Sequence, residues 1–304
     1  MSSKGGSRQK CGNTQGKCDY QKNRRHDVER AVKELAGIGN THVPKHHLGQ
    51  NFLVDTRVAD RQIRYADVKP EDTVLEIGPG HGILTKRLAS KAGKVMAVEY
   101  DRDLANELRL DPELKEVGII EGDALGVDLF SLPKFNKVVA NLPYNISSPI
   151  TFKLLGYPFD IAVLMYQLEF AERMTAKPGN SDYGRLTVNV YCVAECEILE
   201  KVPAAAYWPI PKVDSAIVML RRRQSPPFEL ANEKVFYGMV DALFSQRRKK
   251  IRNSLTPFIS RIPSHGIPAG ELMWGLPYLD ERPEDLSPEQ LAELANMICE
   301  KTGT

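Results

Sequence analysis

The feature that most constrains this chain is a series of four short apolar runs, each ending in residues that strands do not favour. Thr73–Ile77 ends on Gly78-Pro79-Gly80-His81-Gly82, and Lys94–Val98 ends on Glu99. Val117–Ile120 ends on Glu121-Gly122-Asp123, and Lys137–Ala140 ends on Asn141-Leu142-Pro143-Tyr144. Stretches with helical spacing, Ile83–Leu88 and Leu104–Leu110, lie between them. Strands alternating with helices predict an α/β chain built on a Rossmann-like, doubly wound parallel sheet. In open sheets of that kind, ligands bind outside the carboxyl ends of the strands. All four unusual endings fall there.

The glycine run follows a strand and opens a helix, so its backbone can approach a ligand closely. It serves equally as a tight strand-to-helix turn. Its pattern is Gly-x-Gly-x-Gly, not the Gly-x-Gly-x-x-Gly of dinucleotide enzymes. Glu99 stands 21 residues after Gly78, where an acid binds ribose hydroxyls. Asp123 follows Gly122, where a carboxylate reaches an adenine amine. Either acid alone reads as a solvated loop charge. With Glu76 they form three acids at successive strand ends, and together they predict an adenosine-containing cofactor. The absence of a Gly-Lys-Ser/Thr loop argues against a nucleoside triphosphate. Asn141 offers a side-chain carbonyl, Leu142 a backbone carbonyl before Pro143, and Tyr144 an aromatic face. Together these groups suit a planar ring bearing an exocyclic amine. Asn and Pro are also common turn formers, so on local grounds turn and site stand equal.

Further elements are predicted at Asp55–Tyr65 (helix), Pro149–Leu155 (helix), Ile161–Met165 (strand) and Ile217–Leu220 (strand). Beyond a boundary near 225 the pattern becomes helical, with Glu233–Phe244, Arg247–Leu255 and Pro288–Ile298 as candidates. The expected organisation is a basic, partly disordered extension over 1–43 with one short helix from Asp27, a catalytic domain over 44–225, and a smaller, mainly helical domain over 226–304. The net charge of +2 hides an uneven distribution. Residues 1–47 carry ten Lys/Arg against four acids, and residues 221–252 carry nine against three. Such asymmetry suggests a polyanionic partner. Arg221, Arg222, Arg247, Arg248, Lys249, Lys250 and Arg252 are the candidates for phosphate contacts, with a solvated helix face as the other reading of the run at 247–252. Five cysteines, an odd number, fit reduced thiols and a cytoplasmic protein. Cys11, Cys18 and His26 match no common zinc spacing, and His46-His47 has no partner cluster, so no metal site is expected. No apolar run approaches the ~18 residues of a membrane span. The polar N-terminus lacks the apolar core of a signal peptide.

Taken together, the segments GQNFL (49–53), EIGPGHG (76–82), VEYD (98–101), GDA (122–124), NLPYNIS (141–147), YGRL (183–186), PKVDSA (211–216) and FSQRRKKIRNSL (244–255) resemble the class I S-adenosylmethionine-dependent methyltransferases. More narrowly, they resemble the ribosomal RNA adenine N6,N6-dimethyltransferases. The residues before 44 match nothing assignable to that family. The resemblance implies S-adenosylmethionine as cofactor, held by Asn51, Leu53, Gly78, Gly80, Glu99, Asp123 and Asn141, with Asn51 and Leu53 on a segment that closes over it. It implies that Asn141 and the Leu142 carbonyl position an adenine N6 amine while Pro143 shapes the loop. It also implies that Tyr144 stacks on the base, with a second aromatic opposite. The family usually places Phe there; this chain has Tyr207, with Trp208 as the alternative. The implied acceptor is small-subunit ribosomal RNA, at two adjacent adenosines near its 3′ end, met within an immature subunit by a monomeric enzyme. Two other readings remain: a non-catalytic RNA-binding assembly factor on the same fold, and an amine methyltransferase with another acceptor.

Overall fold

The computed structural model describes residues 44, 49–263 and 267–304. The readings of Asp27, of Cys11, Cys18 and His26, and of His46-His47 lie outside these residues.

The first elements among the described residues are a two-residue strand, β1 (Phe52–Leu53), and helix α1 (Thr56–Tyr65), whose N-cap Asp55 accepts the Arg57 N–H. Alternation then begins with β2 (Thr73–Ile77), α2 (Ile83–Ala89), β3 (Lys94–Glu99), α3 (Arg102–Leu110) and β4 (Gly118–Glu121). It continues with β5 (Lys137–Asn141), α4 (Ser147–Leu155), β6 (Ile161–Gln167) and α5 (Leu168–Met174). Next come α6 (Arg185–Val193), β7 (Ala194–Val202), the short β8 (Tyr207–Trp208) and β9 (Ser215–Arg222). The C-terminal part is α7 (Glu233–Phe244), α8 (Ile251–Ile259), α9 (Ala269–Met273) and α10 (Pro288–Thr302).

The main sheet has seven strands in the order β4-β3-β2-β5-β6-β9-β7. The first five run parallel, and β9 is antiparallel to both β6 and β7. The chain winds from β2 outward to β4, then returns to β5 on the other side of β2. The order therefore reverses between β2 and β5, and a crevice opens at their carboxyl ends. The Gly78–Gly82 turn and Asn141–Tyr144 are the two loops that leave those ends.

Both sheet faces are covered. Leu75, Val138, Ala140 and Leu164 pack under α4 and α5 on one face, and Val74, Val139, Val163 and Ile217 pack under α1 and α2 on the other. Strands buried on both faces explain why the runs read as continuously apolar. Lys137 is a buried exception on β5. Its Nζ reaches Asp72 Oδ2 at 2.8 Å and donates to the Asp67 carbonyl, which closes the foot of the sheet. A separate core of Phe236, Met239, Val240, Leu255, Leu291 and Leu294 builds the helical part. Helix α6 serves both cores, giving Leu186 and Val190 to the sheet and Val188 and Cys192 to the helices.

One sequence expectation is corrected, and two elements go beyond the sequence expectations. The helix expected from Arg247 begins at Ile251. Lys250 adopts an extended ψ of 143°, and the Ile251 and Arg252 amides donate to the Glu281 and Leu279 carbonyls instead of to an earlier turn. The basic run therefore forms a turn. Strand β7 and helix α5 have no counterpart among the sequence expectations. Helix α6 passes into β7 at Ala194 without a turn residue, and one side of β7 keeps its charges in water.

Candidate active site

Gly78 and Gly80 have φ of +69° and +57°, in the left-handed region that other residues adopt only with strain. Space demands glycine as well. A Cβ on Gly80 would lie 2.9 Å from Phe52 Cδ1, and one on Gly78 would lie 3.3 Å from Pro143 Cδ. Bare backbone is thus wedged between β1 on one side and the Asn141–Tyr144 loop on the other.

Beneath this loop Glu99 is almost fully buried. Its Oε2 accepts the Gly80 N–H at 3.1 Å and its Oε1 accepts the Asp101 N–H at 2.8 Å. Burial pushes its carboxyl above the usual carboxylate range, and the two amides work against that shift. Glu99 lines a cleft of about 250 Å³ with Tyr100, Gly122, Asp123, Ala124 and Leu125. Asp123 is exposed at the rim and accepts the Leu125 N–H at 2.9 Å. Among the described residues, two carboxylates line this cleft and no Lys or Arg does. These residues offer a phosphate no counter-charge, whereas they offer acceptors to the hydroxyls and amine of an adenosine.

A second, narrower cavity adjoins it across Gly78, Glu99 and Pro143, and its other walls include Asn51, Asn141, Tyr144 and Tyr207. Leu53 lines a neighbouring recess with Gly78, Gly80 and Asn141. Asn51 and Leu53 arrive there because β1 pairs antiparallel with β8, Phe52 opposite Trp208 and Leu53 opposite Tyr207. Gln50 adds a latch, donating from Nε2 to Asp101 Oδ2 at 2.9 Å. This ribbon, invisible as strands in so short a stretch, roofs the crevice.

Asn141 ends β5, and its Oδ1 is buried without a hydrogen-bond partner. An unmet buried acceptor is destabilising by about 1–3 kcal/mol, and here it sits in the cavity wall. Leu142 anchors the loop by burying its side chain in the sheet core. Tyr144 shares a 2.6 Å hydrogen bond with Ser215 Oγ. Tyr207 is buried, and its hydroxyl sits beside those of Tyr144 and Ser215 without an aligned hydrogen bond.

The structure separates the two aromatic candidates. Adjacent strand residues point to opposite faces, so Tyr207 lines the cavity while Trp208 packs with Phe52 and Leu104. The Tyr144 and Tyr207 ring centroids lie 6.4 Å apart with planes at 63°. They stand edge to face, not as the parallel-sided slot that a second aromatic opposite Tyr144 implies.

The basic candidates fall into two places. Arg221 and Arg222 lie opposite Ile161 and Asp160, at the foot of the sheet. Ser215, opposite Gln167, marks the site end six residues away, roughly 20 Å along a strand. Arg222 donates to the Leu155 and Tyr157 carbonyls, so its charge braces the α4–β6 turn. Neither arginine joins the site. In the turn before α8, Arg247 contacts the Ser181 carbonyl and Glu284, while Lys250 at its end and Arg252 in the first turn of α8 both pair with Asp280. Arg248 and Lys249 are exposed and make no ion pair among the described residues. Sequence reasoning missed Gln50, Asp101 and Ser215 as site residues, although each lies inside or beside a segment that drew attention.

A family model described as "Ribosomal RNA adenine dimethylase" matches residues 41–266. A probable ribosomal RNA small subunit methyltransferase A from Methanosarcina acetivorans is 50% identical over 255 residues, covering 82% of this chain and 91% of its own. One from Thermococcus gammatolerans is 42% identical, covering 83% and 88%. Among solved structures, a dimethyladenosine transferase from Plasmodium falciparum superposes with a TM-score of 0.70 at 30% identity, covering 81% of this chain and 96% of its own. The 23S rRNA methyltransferase ErmE gives 0.61 at 32% identity, covering 82% and 99%. The chain belongs to the ribosomal RNA adenine dimethylase family.

Proposed function

We propose that the protein transfers methyl groups from S-adenosylmethionine to the N6 amines of two adjacent adenosines near the 3′ end of small-subunit ribosomal RNA, within an immature subunit. The observation that carries this reading is the buried, unpaired Oδ1 of Asn141 in the wall of the cavity that Tyr144 and Tyr207 share. The acid-lined cleft fits the cofactor: Glu99 and Asp123 suit the hydroxyls and amine of an adenosine, and the glycine loop admits it at close range. Asn51 and Leu53 would hold its other end from the roof. When bound, S-adenosylmethionine supplies an electrophilic methyl group on a positively charged sulfur.

An adenine amine is a weak nucleophile because its lone pair delocalises into the ring. Asn141 Oδ1 and the Leu142 carbonyl accept its two hydrogens, which favours a pyramidal nitrogen and aims the lone pair. This is catalysis by positioning. The proton leaves after transfer, so no strong base is required, and none stands in the tetrapeptide. The target base must leave its stack, and the Tyr144 ring offsets part of that cost. Arg248 and Lys249, uncommitted to acids, supply salt-dependent phosphate contacts. Small-subunit RNA as acceptor and free cysteines fit the reading of a cytoplasmic enzyme.

Asn141→Ala tests the clamp. Calorimetry should give an RNA affinity close to wild type, while transfer of labelled methyl to small-subunit RNA disappears. Full transfer by this variant would end the clamp reading.

A further inference from the structure

The loop that carries Tyr144 is short, and a stacking ring needs a defined plane. The backbone side of the loop is held where Pro143 packs on Gly78. The far end of the ring is held by a different element. Tyr144 Oη and Ser215 Oγ are 2.6 Å apart, and Ser215 is fully buried at the start of β9. That position is one of the stiffest near the site. Ser215 pairs with Gln167 of β6 on one side and Val202 of β7 on the other. The preceding Asp214 accepts the Ala204 N–H at 2.9 Å through its side chain and the Leu168 N–H at 2.9 Å through its carbonyl. A central strand therefore grips the phenol of a loop residue.

The cavity holds a competing hydroxyl. Tyr207 Oη is buried beside the Tyr144 and Ser215 hydroxyls without an aligned hydrogen bond, and its ring lies edge to face with Tyr144. Without Ser215, the Tyr144 phenol has Tyr207 as the remaining hydroxyl to turn toward, and the ring plane turns with it.

We infer that Ser215 is a positioning residue: it fixes the plane of the Tyr144 ring and so sets the pose in which the target base meets Asn141. The inference rests on the reading of Tyr144 as the ring that receives the base. It assigns Ser215 an effect on the RNA side of the reaction and none on the cofactor side. A tilted ring also matters most for the second transfer, when the amine keeps only one hydrogen for its two acceptors.

The test uses the full-length protein with small-subunit RNA, and compares Ser215→Ala, Ser215→Thr, Tyr144→Phe, Tyr144→Ala and the double variant Ser215→Ala/Tyr144→Phe. Ser215→Ala and Tyr144→Phe should each lower kcat/KM for RNA about tenfold, the worth of one well-placed hydrogen bond. The double variant should lose no more than either single one. Ser215→Thr, which keeps the hydroxyl, should recover most of the rate. Cofactor affinity should stay within about twofold throughout, and the share of monomethylated product should rise when the hydrogen bond is removed. Additive losses in the double variant, or a matching fall in cofactor affinity, would show that Ser215 serves only β9 packing and would overturn the inference. If Ser215→Ala does not fold, Tyr144→Phe decides alone, and wild-type transfer by it refutes the role. Should Tyr144→Ala leave transfer intact, the stacking reading itself fails; should only Tyr144→Ala be impaired, the fault lies with Ser215 alone.

Discussion

Single residues in this molecule carry more chemistry than their neighbourhood in the sequence can reveal. Asn141 reads as a clamp or a turn, and its buried oxygen, without a hydrogen-bond partner among the described residues, is what favours the proposed clamp. Gly80 is a case where sequence and structure agree on the residue but the structure gives the reason. It has φ of +57° and no room for a Cβ beside Phe52. Gly80→Ala should therefore lower stability by about 1–3 kcal/mol and weaken cofactor binding, as a shift in urea midpoint and a titration would show. Glu76 makes a different prediction. It is fully buried under the loop, and desolvation, with the like charge of Glu99, pushes its carboxyl up to about 8. Between its unfolded value near 4.5 and about 8 the folded state holds the extra proton. Stability must therefore fall as pH rises through that window, by about 1.4 kcal/mol per unit at most. Glu76→Gln should flatten this slope; urea midpoints at several pH values would measure it.

At the scale of elements, the strand ends are legible because parallel strands buried on both faces read as unbroken apolar runs. Their loops fall at one edge by topology alone. The β1–β8 ribbon is not legible, since two residues per strand give no period to detect. Nor is the choice between Tyr207 and Trp208, which depends on which face of β8 each occupies. The basic run reads as helix because its composition favours one. Tertiary amide bonds to Glu281 and Leu279 delay the helix until Ile251. Within that turn the pairing pattern predicts unequal residues. Arg248→Glu with Lys249→Glu should weaken RNA binding and reduce the salt slope by about 0.7–0.9 for each phosphate no longer neutralised. Lys250→Ala should do less, because Asp280 already holds that charge. Filter binding over a range of salt concentrations would separate them.

For the whole molecule, the expected boundary near 225 marks a change of composition more than a break in packing. Tyr183 donates to the Leu286 carbonyl at 2.8 Å, and Val188 and Cys192 of α6 lie in the helical core. A chain ending at 225 would expose these groups, so we predict a clear loss of thermal stability relative to the full chain, readable by scanning calorimetry. An unchanged midpoint would mean that the sheet half is self-sufficient. The arrangement also places the exposed Arg248 and Lys249 on the helical part and the proposed amine clamp on the sheet part, joined through α6. Small-subunit RNA incubated with the protein and S-adenosylmethionine, then digested and analysed by mass spectrometry, should yield N6,N6-dimethyladenosine with wild type and none with Asn141→Ala. A wild-type protein that binds the cofactor yet leaves every adenosine unmethylated would contradict the account.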